Sequence, residues 1–416
     1  MSALCFVSGA YAQPPQTFSS GSTGSDGALN YTTPGTYYFN PKAFNPPLDP
    51  AGDNVFNFTT INIAKGVTVK LSNVYLNGPV YWLAQGAVTI SGTLDLSGAG
   101  GQGVSNVISL RVPAAGGPGG YGGGVGGNNG AITAEPGNGP GAGAAATSCC
   151  THNPNGVGNG GSNGTFTGSS YLIPLIGGSG GGGSNVYGAQ VGAGSFGGGG
   201  GGGGGAILIA SSASITYSGF INANGGPGGV NSQGCPSING CDPGGSGSGG
   251  AVRLVAPVIT QTSGGDGLCP DNSSGGEVGA AIVRIEAFTY TVSTALHQGC
   301  ATGLTSAPIN VITPPSPASA LKVTSLVTGS GTFPINANPF SFPDAAINSS
   351  SPVTVNVQAQ YIPVGTIPNV IVYSENGPDM TVPCSAGLQG TLTQSTCSAS
   401  ITFPTGASRG FVKATW

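Results

Sequence analysis

Three acids gather in one short stretch, Asp266, Asp271 and Glu277, set in a Gly/Ser-rich loop around Cys269. Clustered carboxylates are what a hard, oxygen-seeking cation such as Ca²⁺ requires. With a base nearby they would also equip a polysaccharide lyase, and a hydrolase would need two of them held across the scissile bond. These three are therefore the candidate metal ligands, Ca²⁺ the candidate ion, and a solvated loop the plainer reading. Arg253 and Arg284 hold matching places in Ala251-Val252-Arg253-Leu254-Val255 and Ile282-Val283-Arg284-Ile285-Glu286. Two guanidiniums stacked on neighbouring strands could bind an acidic sugar; outward-facing arginines paired with an Asp or with Glu286 are the plainer reading. His152 and His297 have no Ser/Asp arrangement around them that would build a triad. No catalytic residue is assigned.

Cysteine usage points to the compartment. Of nine cysteines, Cys5 lies in the N-terminal stretch, leaving Cys149, Cys150, Cys235, Cys241, Cys269, Cys300, Cys384 and Cys397. An even count fits disulfides in an exported protein. Proximity in sequence suggests Cys235–Cys241, Cys269–Cys300 and Cys384–Cys397, with Cys149 and Cys150 left as a vicinal pair or as partners for other cysteines. Residues 1–12 end in Ala10-Tyr11-Ala12 after a short apolar stretch, which reads as the tail of a secretory signal peptide. Secretion or display at the cell surface is the expected fate. No later apolar run approaches the ~20 residues of a transmembrane helix. With 9 Lys+Arg and a net charge of −4, the chain lacks the basic footprint of a nucleic-acid binder.

The elements that would position these residues are strands. A lead, residues 13–53, carries Tyr37-Tyr38-Phe39 as its one strand-like core. Strict alternation follows in Val55, Phe56, Phe58, Ile61, Ile63, Val67, Val69 and Leu71. Ile90-Ser91-Gly92-Thr93-Leu94-Asp95-Leu96-Ser97-Gly98 then aligns with Tyr217-Ser218-Gly219-Phe220-Ile221-Asn222-Ala223-Asn224-Gly225. Further copies begin at Gly249 and Gly279, with Val258-Ile259 as the second strand of the first of these. A strand–corner–strand–glycine unit recurring at irregular spacing predicts a parallel β-helix or solenoid over residues 54–306. Its candidate open ends, Val67–Leu71 and Ile282–Ile285, predict self-association. Between the aligned copies lies a Gly-rich excursion, residues 98–205, ending in the run Gly197–Gly205. Two readings stand for it: a flexible spacer, or polyproline-II-like segments packed side by side. A Pro-rich linker, 307–319, leads to residues 320–416, whose short strands and Cys384/Cys397 predict a small immunoglobulin- or fibronectin-III-like β-sandwich.

The units Gly86–Gly101 and Ala206–Gly229 resemble the glycine-rich β-helical, adhesin-like surface proteins that bacteria export. The glycine tracts are similar to the polyglycine tips of some phage adhesins. The resemblance implies an all-β architecture and a surface location, and carries over no catalytic residue. The function expected is therefore structural or adhesive, with partners that are copies of itself, other surface proteins or glycans. A β-helical polysaccharide lyase or hydrolase is the alternative. An ice-binding face would want regular Thr-x-Thr ranks on a flat face, and these are absent.

Overall fold

A computed structural model describes residues 17–50, 52–76, 78–103, 112–127, 133–146, 161–185, 197–229, 243–261, 281–292, 301–309, 311, 313, 319–335, 345, 347, 349–374, 380–403 and 410–416. Among the described residues there is no α-helix; one 3-10 turn, Pro41–Ala43, is capped by the Asn40 side chain, which accepts from Lys42 N. The rest of the regular structure is strand.

The first eleven strands obey one pairing rule. They are β1 (Ala28–Tyr31), β2 (Gly35–Tyr38), β3 (Val55–Phe58), β4 (Thr60–Ile63), β5 (Val67–Lys70), β6 (Val80–Ala84), β7 (Val88–Ile90), β8 (Thr93–Asp95), β9 (Ala206–Ser211), β10 (Ser214–Tyr217) and β11 (Phe220–Asn222). Each pairs in parallel with the strand three places further on, giving the ladders β1–β4–β7–β10, β2–β5–β8–β11 and β3–β6–β9. β12 (Ala251–Gln261) runs straight through Pro257 and joins two ladders, its first half on β9 and its second half on β10. β13 (Ile282–Val292) and β14 (Ala301–Ser306) follow in parallel. The expected alignment of the two copies is the observed register, with Tyr217 opposite Ile90 and Ile221 opposite Leu94. Two expectations are corrected. Val67–Leu71 is not an open end, because β2 of the lead covers one side of β5 and β8 the other. Ile282–Ile285 is likewise flanked on both sides, by β12 and β14.

Period-two alternation sends one side of every ladder inward. Leu29, Ile61, Val88, Ile215 and Ile259 stack in register, as do Phe56, Trp82, Ile209, Leu254 and Ile285. Together with Val69, Leu94 and Ile221 of the second sheet they form one buried core. Its N-terminal end is aromatic: Phe39 lies 5.0 Å from Phe56, 5.3 Å from Trp82 and 5.8 Å from Phe44 between ring centroids. β6 and β9 are buried along their whole length, so both faces must be covered. The outer face packs Tyr81, Leu83, Leu208, Ala210 and Val255 against Leu172 and Leu175.

The described residues of the glycine-rich excursion are packed. Gly197–Gly205 donates to three neighbours in strict rotation. Gly199, Gly202 and Gly205 donate to Gln102, Ala99 and Leu96; Gly197, Gly200 and Gly203 to Gly127, Gly124 and Tyr121; Gly201 and Gly204 to Gly245 and Ser248, at 2.7–2.9 Å. Carbonyls of the same run accept from Gly178, Gly181 and Ser184 on one side and from Gly226 and Gly229 on another. A repeat of three residues is that of a polyproline-II helix, which has no internal hydrogen bonds and so offers all its backbone groups to neighbours. Buried backbone polar groups need partners, and here other segments supply them. Only glycine fits: a Cβ on Gly200 would sit 1.9 Å from Gly181 O, and one on Gly202 2.1 Å from Ala115 O.

The described residues between 320 and 416 form two antiparallel sheets. One orders β16–β15–β17–β21–β20, where β15 is Ala320–Thr328, β16 Gly331–Pro334, β17 Val353–Gln360, β20 Gln389–Gly390 and β21 Ser395–Ile401. The other orders β19–β18–β22, with β18 Asn369–Ser374, β19 Met380–Pro383 and β22 Gly410–Thr415. Val353, Val355, Val357 and Ile401 of the first share a core with Val370 and Val372 of the second.

Candidate functional site

The richest assembly of charge among the described residues lies on the covered outer face of β12 and β13. Strand alternation puts Arg253 on the face opposite Val252 and Leu254, and the parallel register sets Arg284 directly beside it. Glu286, two residues along β13, falls on that same face. Its Oε1 accepts from Arg253 Nε at 2.9 Å and Arg284 Nε at 2.7 Å, and its Oε2 accepts from Arg253 Nη2 at 3.2 Å. Backbone N of Ile309 completes the shell, donating to Oε2 at 3.2 Å. Arg284 Nη2 donates to Ser306 Oγ of β14 at 2.9 Å, and the guanidinium lies 4.8 Å from the ring centroid of Tyr171.

All three charged side chains are sealed: Arg253 is 1% exposed, Arg284 3% and Glu286 0%. Both arginines are expected on an outward face. They do point away from the main core, but the segment carrying Tyr171, Leu172 and Leu175 covers that face. The pairing with Glu286 is present, and both Nε donors are spent on it. Chemically the cluster is a clamp. It ties β12, β13 and β14 to the start of the 307–319 linker and to the covering segment.

Asp49 is a carboxylate with a perturbed pKa. Its Oδ1 accepts from Gly52 N and Asp53 N, and its Oδ2 accepts from Asn54 N at 2.8 Å, shaping the loop that enters β3. Burial is the main cause that pushes its pKa up to about 6; the backbone donors Asn54 and Asp53 oppose the rise, and the Asp53 side chain adds to it. At the far end of the core the Tyr217 hydroxyl meets Gln261 Oε1 and the Tyr290 hydroxyl, each at 3.3 Å, and burial raises its pKa.

Of the candidate disulfides, Cys384–Cys397 is formed, with Cα atoms 5.9 Å apart, joining the end of β19 to β21. Cys149, Cys150, Cys235, Cys241, Cys269 and Cys300 lie outside the described residues, as do the candidate Ca²⁺ ligands Asp266, Asp271 and Glu277. Among the described residues no group of three or more His, Cys, Asp or Glu side chains could hold a metal ion. No helix of the described residues is long and apolar enough to cross a membrane. No protein-family model, curated protein or solved structure matches the chain.

Proposed function

We propose that this chain is an exported structural or adhesive surface protein and not an enzyme. Its parallel ladders wind as a β-helix, a polyproline-II bundle buttresses them, and the C-terminal unit is an immunoglobulin- or fibronectin-III-like β-sandwich that serves as an attachment or spacing module. The rule that each strand pairs with the third one after it supports the winding. The reading of function rests on the Gly197–Gly205 run, which is buried and hydrogen-bonded to segments on several sides. Glycine loses the most conformational freedom on folding. A chain that orders so many glycines gains stiffness, which suits a platform. The Arg253–Glu286–Arg284 cluster fits the same role, since its charges act within the protein.

The test is a panel of acidic and neutral polysaccharides incubated with the full chain, with and without Ca²⁺, beside a surface-adhesion assay. Adhesion without turnover supports the reading. Turnover abolished by Asp266→Asn, Asp271→Asn or Glu277→Gln would replace it with a Ca²⁺-dependent depolymerase. Thiol titration of denatured native material tests export, since no more than two free thiols are expected in the mature chain.

A further inference from the structure

The outward side of the ladder β1–β4–β7–β10–β12–β13 carries an ordered array that is invisible in the linear sequence. Asn30, Asn62, Thr89, Thr216, Thr260 and Thr291 occupy successive strands in one-to-one register. Two residues away, Ala28 pairs with Thr60 and, further along, Ser214, Val258 and Thr289 line up in register, all short side chains. All six residues of the central rank reach the surface, each half-buried or exposed. None is charged. Among the described residues the hydroxyls of Thr89, Thr216 and Thr291 make no side-chain hydrogen bond.

From these observations we propose that this face binds ice. Strands repeat about every 4.8 Å across a ladder, so the rank offers one short polar group at each such step. In tetrahedral water, hydrogen-bonded oxygens lie about 2.8 Å apart, so two oxygens sharing a neighbour are about 4.5 Å apart. Over five steps the accumulated mismatch is about 1.5 Å, which is less than half a repeat. Free strands would fan such a rank by about 20–25° per step. Here each strand of the rank pairs with the next in unshifted one-to-one register, with no bulge between them. Threonine suits the task because its β-branch leaves χ1 few choices, so hydroxyl and methyl are pre-positioned at little entropic cost. A crystalline glycan is the competing periodic surface, but it would be met by aromatic side chains, and the rank has none. The proposal stands independently of export and of adhesion to other surfaces.

Ice-affinity partitioning of the full chain, with ice recrystallisation followed in parallel, tests this. The chain is expected to enter slowly grown ice and to arrest recrystallisation. In Thr89→Lys/Thr216→Lys, partitioning should fall about tenfold or more, because two hydrated ammonium groups cannot be accommodated at an ice surface. Thr216→Tyr, a single bulky change on the exposed side, should act in the same direction if the double variant does not fold. Thr68→Lys, on the outward side of β5 opposite Thr36 and Thr93, should leave partitioning unchanged. Exclusion of the parent chain from ice overturns the proposal. So does capture that survives the rank variants, or binding to crystalline cellulose or chitin without any to ice.

Discussion

Replacing Gly200 by alanine puts the packing of the glycine bundle to a quantitative test. The new methyl would lie 1.9 Å from Gly181 O, whereas ordinary contact begins near 3.4 Å, so the two segments must separate by about 1.5 Å. Neither side can rotate away, because both are backbone. Gly200 N donates to Gly124 O at 2.7 Å and Gly181 N to Gly201 O at 2.9 Å, so separation breaks at least one buried bond. Overpacking costs about 1–3 kcal/mol, and a buried backbone group left unpaired costs about 1–3 kcal/mol more. The expected loss is about 4 kcal/mol, large against a typical stability of about 5–15 kcal/mol. Guanidinium unfolding followed by fluorescence of the buried Trp82 reads it out. Gly329→Ala is the control, since a methyl there meets nothing within 4 Å, and a change within about 0.5 kcal/mol is expected. If Gly200→Ala matched that control, the close packing of the bundle would be refuted.

Glu286→Gln leaves two buried guanidiniums without their counter-charge and should cost about 3–5 kcal/mol; limited proteolysis should then open the 307–319 linker first. Reducing Cys384–Cys397, which closes a loop of sequence separation 13, should cost the C-terminal unit about 3 kcal/mol, read as a lower unfolding midpoint with reductant. Asp49 has a folded pKa of about 6, above its reference value of 3.8. Its contribution is thus fully present below about pH 4 and is lost as pH rises through 6. The loop is half-exposed, so the effect is discounted to about 1 kcal/mol. Melting temperatures at pH 5 and pH 7 should differ in that direction in the parent chain and converge in Asp49→Asn.

Much of the architecture was legible because period-two alternation survives in each short strand. Phe56 and Phe58, Ile61 and Ile63, and Val67 and Val69 reveal their inward face without any structure. The alignment of Ile90–Gly98 with Tyr217–Gly225 is the true register because both copies use the same Ser-Gly corner. β1 was missed: Ala28-Leu29-Asn30-Tyr31 has one fully buried side chain and acquires its strand identity only from pairing with β4. The straight run of β12 through Pro257 was also missed, because proline normally ends a strand. Arg253 and Arg284 were correctly placed side by side, but their burial was not foreseeable. The covering segment comes from residues about eighty positions earlier, and its only local signal was the apolar cluster Tyr171-Leu172-Ile173. The threonine rank was hidden for a related reason. Thr89 and Thr216 are neighbours in space but are separated along the chain by the whole glycine excursion. That excursion itself was ambiguous, since three-fold backbone bonding leaves no trace in a run of identical residues.

Amide hydrogen exchange across Gly197–Gly205, compared with the adjoining strand Ala206–Ser211, tests the central claim most directly. The account predicts that both segments exchange slowly and to a similar degree, because every backbone N–H from Gly199 to Gly205 has a hydrogen-bond partner in another segment. Slow exchange in 206–211 with exchange at the free-peptide rate in 197–205 would contradict it.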